Sequence, residues 1–111
     1  MFDMKVKRLV VNAASSGDNA LLPADPTLEY QVMAGMLVAA GAVSVKFTDG
    51  ASGDELTGAM AMAANGIMPI AFNPEGHVRT SKNKALVLNL SGAVAVRGWL
   101  TVYVYKVRSD S

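Results

Sequence analysis

The sequence predicts an all-β protein, a jelly-roll-like antiparallel sandwich of about seven or eight short strands. Three observations lead there. The last segment alternates with a period of two: Val94, Val96, Leu100, Val102 and Val104 fall on one side, and Ala95, Arg97, Trp99, Thr101, Tyr103 and Tyr105 on the other. Turn signals recur about every ten residues along the rest of the chain. The apolar half of the composition is mostly Ala, Val, Met and Leu, with three Phe, three Tyr and one Trp, which suits a thin two-layer core.

The elements follow in order. Lys5 to Asn12, with Val6, Leu9, Val10 and Val11, reads as a first strand ended by a polar Ser15 to Asn19 turn. Leu21 to Pro26 carries two prolines and reads as an irregular or edge segment. In Leu28 to Ala40, Tyr30, Val32, Ala34, Met36 and Val38 alternate with Gln31, Met33, Gly35, Leu37 and Ala39, so both faces are apolar, as for a strand buried on both sides. A helix is the rival reading, weakened by Gly35 and Gly41. Gly41-Ala42 then turns into a half-buried strand, Val43, Val45 and Phe47, so the pair is expected to form a hairpin.

Glu55 to Ala64 reads either as strand or as a short helix capped by Asp54, with strand favoured by Gly58 and the Asn65-Gly66 turn. Ile67 to Phe72 contains Pro69 and is an edge segment closed by the Asn73-Pro74-Glu75-Gly76 turn. His77 to Thr80 is a short polar strand. Ala85 to Leu90 alternates around Val87 and Asn89, and Ser91-Gly92 turns into the final strand. Disorder is expected only after Val107. The whole reads as a single domain, 1–111, with no internal repeat or linker, opening on an N-terminal strand or arm.

Composition narrows the function. Ten basic and nine acidic residues leave a net charge of +1, so no global field is present to hold nucleic acid or an anionic membrane. Cysteine is absent, which removes disulfides, Cys-ligated zinc and thiol catalysis together. Only 17% of residues are charged, so some apolar surface is expected to be covered by partner subunits. The N-terminus does not read as a secretory signal. The longest apolar stretch, Val32 to Val43, falls short of the roughly 20 residues that span a bilayer.

No catalytic constellation emerges, and neither a cofactor nor a metal is expected. His77 is the only histidine and reads as a polar strand residue. Asp49, Asp54 and Glu55 do not have calcium-loop spacing. Gly50 to Gly53 is one residue short of a nucleophile elbow and reads as a turn. The Asn89-Leu90-Ser91 sequon has no meaning without a secretory route. Met33, Met36, Met60, Met62 and Met68 read as core filler. Arg97, Trp99, Tyr103 and Tyr105 share one strand face and read as a subunit interface or second core layer rather than a stacking platform. Phe2 and Met4 suggest an ordered arm packed on a neighbour, completing the candidate interface residues.

From Tyr30 to Val104 an ordered run of features recurs. Gly41-Ala42-Val43 with Val45 and Phe47 precedes a Gly-rich loop. Leu56, Gly58-Ala59 and Met62-Ala63-Ala64-Asn65-Gly66 follow, then Phe72-Asn73-Pro74, Gly76 and Thr80. Ala85 to Ser91, Val96 and Gly98 complete it. This order resembles small virion proteins of tailed bacteriophages, of the capsid decoration, cement or head-fibre kind. The resemblance implies a jelly-roll-like sandwich without enzymatic activity and with no catalytic residues to carry over. It implies a homotrimer on the virion surface, made in the host cytoplasm and docked on the major capsid protein to stabilise the head. A head-fibre or tail component with a receptor- or glycan-binding role is the alternative.

Overall fold

The computed structural model describes residues 2–73 and 75–107, with the side chains of residues 2–4 and 107 outside that description. The described residues form β1 (Phe2–Ala13), β2 (Gly17–Leu22), β3 (Leu28–Ala39), β4 (Val43–Asp49), β5 (Asp54–Glu55), β6 (Met60–Met62), β7 (Ile67–Ile70), β8 (Val78–Arg79), β9 (Leu86–Leu90) and β10 (Val96–Val107). All pairings are antiparallel. A long sheet runs β1-β10-β3, with β7 and β8 sharing the far edge of β3. A short sheet runs β2-β9-β4, with β5 and β6 sharing the far edge of β4.

If β5/β6 and β7/β8 are each taken as one broken strand, both sheets have four strands. The chain crosses between sheets at nearly every connection, which is the jelly-roll connectivity. No helix of the described residues is long and apolar enough to cross a membrane.

The alternation on β10 is as expected. Val96, Leu100 and Val102 are buried, while Arg97 and Trp99 face outward. On β1 the same period places Leu9, Val11 and Ala13 inside and Val6, Arg8, Val10 and Asn12 outside. Against them the short sheet sets Val45 and Phe47 of β4 and Leu86, Leu88 and Leu90 of β9. Each such side chain contributes about 1.5–3 kcal/mol on leaving water.

Three expectations are corrected. The strand β3 is not buried on both faces. Its partners on β10 skip a residue between Thr101, opposite Ala34, and Val102, opposite Val32, leaving Met33 as a bulge. Tyr30 and Val32 point inward before it and Gly35, Leu37 and Ala39 after it, so both apolar sets face the core in series. Nor do β3 and β4 form a hairpin. They belong to different sheets, and the 40–42 connection crosses between them. That end of the sandwich is fixed by bonds from Ala40 N to Ala95 O (2.8 Å) and from Ser91 N to Ser44 O (2.9 Å).

The expected Ser15 to Asn19 turn gives way to strand at Gly17. The Asn19 amide holds the corner by donating to Ser15 O (2.9 Å) and Gly17 O (3.1 Å), which frees Asp18 to pair outward. Of the N-terminal strand or arm, Phe2 and Met4 form the start of strand β1. Their backbone pairs with Val107 and Tyr105 in the β1-β10 ladder, and their side chains lie outside the described ones. In 55–64 the strand reading holds at Asp54–Glu55 and Met60–Met62, and no helix forms. The β7 segment with Pro69 is an edge, as its proline requires.

Candidate interaction face

The two outer faces of the sandwich differ. On the short sheet, Asp18, Asn89 and Lys46 stand in one row. Asp18 accepts from the Asn89 side chain (2.8 Å) and from the backbone amide of Ser52 (2.8 Å). These bonds, with the nearby Lys46 cation, hold its carboxyl below the ordinary carboxylate value despite a small opposing effect of burial. Because Ser52 follows β4, the 50–53 turn must pass over β9 to reach β2. Val87 and Thr48, which point outward from this sheet, are accordingly buried. The burial is local to Val87 and Thr48, and Asp18 and Ala20 remain exposed.

On the long sheet such cover is confined to the 75–76 turn, which bonds Gln31 and leaves the rows toward Arg97 and Trp99 open. Register across β1, β10, β3 and the far edge gives successive rows. Asn12, Arg97, Val38 and Ile67 form one, and Val10, Trp99, Met36 and Pro69 the next. Then come Arg8, Thr101 and Ala34, followed by Val6, Tyr103, Gln31 and Arg79. The first two rows form an apolar half. Val10 is 79% exposed, Ile67 63%, and Val38 and Trp99 38% each, a concentration of large apolar side chains that a solvated sheet face does not need. Its one cation, Arg97, donates from Nε to Asn12 Oδ1 at 3.2 Å.

The other half carries a polar network, with Val6 62% exposed at its β1 edge. Arg79 pairs with Glu29 (2.8 Å) and lies 4.2 Å over the Tyr105 ring. The Tyr105 hydroxyl donates to Gln31 Oε1 (2.8 Å), and Gln31 Nε2 donates to Glu75 O (2.7 Å). Tyr103 meets Tyr105 edge-on at 6.3 Å. The structure thus puts Arg97, Trp99, Tyr103 and Tyr105 on one face but divides them between two surroundings. Trp99 keeps 38% of its surface open, whereas Tyr103 and Tyr105 are half-buried.

Sequence reasoning missed Val6, Val10, Val38 and Ile67. The signal for the first two was the parity of β1, where Leu9 and Val11 had to point inward once Val10 was on a strand.

The residues weighed for chemistry have local partners. His77 precedes β8 and bonds the Ala71 carbonyl through its ring at 2.6 Å. Asp49 accepts from Ser81 N (2.8 Å) and Ser81 Oγ (2.7 Å), and Glu55 pairs with Lys46 (2.8 Å). Ser52 sits at φ 54° in a turn, and Asn89 is held by Asp18. Among the described residues no group of three His, Cys, Asp or Glu could hold a metal ion. Of the methionines, Met33 and Met62 are buried and Met60 and Met68 pack against the core, but Met36 stands on the outer face, contrary to its reading as core filler.

No family model matches the chain, and no curated protein matches it. Its fold is similar to that of a solved Bacillus protein described as "Bacillus endospore appendages form a novel family of disulfide-linked pili". The TM-score is 0.51 at 12% identity, covering 98% of this chain and 92% of that one. The Tobacco streak virus coat protein (TM-score 0.36, 10% identity, 94% and 89% covered) and PirA (0.28, 13%, 91% and 92%) superpose more loosely. The class defined by fold and connectivity is the jelly-roll β-sandwich.

Proposed function

We propose that this chain is a non-enzymatic structural protein of a bacteriophage virion, a capsid decoration or cement protein that docks on the major capsid protein and stabilises the head. The observation that carries the reading is the uncovered apolar half of the long sheet, with Val10, Trp99, Val38 and Ile67 presented on a rigid β platform. An exposed tryptophan beside an arginine, ringed by aliphatic side chains, is the composition of an interface anchor. The order of motifs from Tyr30 to Val104 supports the phage setting, and with it a homo-oligomer, a trimer by that resemblance.

The similar Bacillus protein belongs to pili described as disulfide-linked. This chain has no cysteine, so disulfides cannot join its copies. Repeated weak contacts across a symmetric shell add up through effective concentration, which lets a modest patch hold firmly.

The test is attachment to purified capsids stripped of decoration. The expected result is a fixed copy number per particle, and at least a tenfold loss of apparent affinity for Trp99→Ala or Val10→Glu with the thermal transition unchanged. Binding to host glycans with no attachment to any capsid would replace this reading with the fibre or tail one.

A further inference from the structure

We infer that Asn65 is the deamidation site of this chain, and that the 63–66 turn between β6 and β7 sets how fast the reaction runs in the folded protein. The chemistry is intrinsic to an asparagine followed by a glycine. The Gly66 backbone nitrogen gives up its proton to water and attacks Cγ of the Asn65 side chain. The Cγ–Nδ2 bond breaks and ammonia leaves, so a cyclic succinimide joins the two residues. Water then opens the ring, at the side-chain carbonyl to leave aspartate or at the backbone carbonyl to leave isoaspartate. A Cβ on the second residue would crowd the attacking nitrogen, and glycine has none.

Of the chain's six asparagines, only Asn65 precedes a glycine. Most of the others are also held. The Asn19 amide donates to Ser15 O (2.9 Å) and Gly17 O (3.1 Å), and that of Asn89 to Asp18 (2.8 Å). Asn12 accepts from Arg97 (3.2 Å). Asn73 precedes Pro74, whose nitrogen has no proton to lose. Asn65 is exposed, and its side chain has no hydrogen-bond partner among the described residues. Asn83 shares that freedom but is followed by Lys84. The Asp49-Gly50 pair can form the same ring, but both Asp49 oxygens accept from Ser81, and its ring closure releases water instead of ammonia.

The folded turn slows the reaction. Gly66 N donates to Ala63 O (2.8 Å), so its proton is engaged. Asn65 has a φ of 61° and Ala64 a negative one, the pattern of a type II turn with asparagine as its third residue. There ψ lies near 0°, which turns the Gly66 nitrogen away from the side chain it must attack. The turn is pinned to the end of β3 by Asn65 N to Ala39 O (2.8 Å) and Ala39 N to Gly66 O (3.0 Å). Attack therefore waits for these three bonds to open, and they belong to short edge strands, where opening is local. The turn also requires its glycine, because a Cβ at Gly66 would lie 2.8 Å from the Ala63 carbonyl oxygen. The labile pair and the turn thus come together.

The test is ageing of the full chain at mildly alkaline pH, followed by peptide mapping and an isoaspartate assay. The amide-to-acid mass gain should appear first in the peptide that contains Asn65, accompanied by isoaspartate. In enough guanidinium chloride to unfold the protein, the same site should react at least about tenfold faster, because the folded chain reacts only in its opened fraction. Asn65→Gly suits the positive φ and should abolish the early signal while circular dichroism shows the fold intact. Earlier conversion at any other asparagine, or equal rates in the folded and unfolded chain, would overturn the inference. Capsid attachment plays no part in these readouts, so failure here and failure of the docking reading are told apart.

Discussion

Asp18 of β2 accepts a hydrogen bond from the Asn89 side chain of β9 and, on its other oxygen, from the backbone amide of Ser52, both at 2.8 Å. One carboxylate thus joins an edge strand, a central strand and the turn that covers them.

That arrangement sets a pH dependence. Asp18 titrates below its ordinary value of 3.8 in the folded protein, so its stabilising contribution is complete above that value and disappears as pH falls through the lower folded one. Thermal unfolding of Asp18→Ala should show a lower midpoint than wild type at about pH 7. The gap should begin to close as the solution is acidified below 3.8 and vanish once the pH has passed the lower folded value, where the wild-type carboxylate is protonated in both states.

Two glycines should respond differently to alanine. A Cβ at Gly98, which has φ +152°, would strike the Met36 carbonyl and force β3 away from β10. Gly17 has φ +89° but open space around the added atom. Denaturant titration should show a loss of about 3 kcal/mol or more for Gly98→Ala. Gly17→Ala should lose only about 1–2 kcal/mol, the cost of a left-handed conformation.

Thr80 closes the β2-to-β3 end of the core. Its hydroxyl accepts from the buried amide of Tyr30 (3.0 Å), and its own amide donates to Tyr30 O (2.8 Å). Thr80→Val keeps the shape but strands the Tyr30 N–H. Chemical unfolding should register a loss of about 1–3 kcal/mol. Thr80→Ser, which keeps the acceptor, should recover most of it.

Leu88 is fully buried at the middle of β9, against Phe47 on β4. Leu88→Ala should cost about 2–5 kcal/mol in urea titration, with the larger figure expected if the thin core cannot close around the space.

The fold class was legible because a period of two is a direct consequence of the pleat. Val96 to Val104 obey it without interruption. Connectivity was not, since a short turn such as Gly41-Ala42 has the same composition whether it joins strands within a sheet or carries the chain across to the other one. The faces of β3 were misread because a bulge reverses parity, and Met33 looks like any other apolar residue. At the candidate face, Arg97 and Trp99 could be read from β10 alone. Val38 and Ile67 could not, because they join the patch only through register with strands distant in sequence.

The ladder between β1 and β10 runs without a break from Phe2 opposite Val107 to Ala13 opposite Val96. The two ends of the described chain therefore lie across a single rung, about 5 Å apart. A pull applied between them loads that rung first and then each next one in turn, so the strands peel apart like a zip rather than resisting all at once in shear. Tags fused at both ends would emerge side by side, at the end of the sandwich away from the 40–42 crossing.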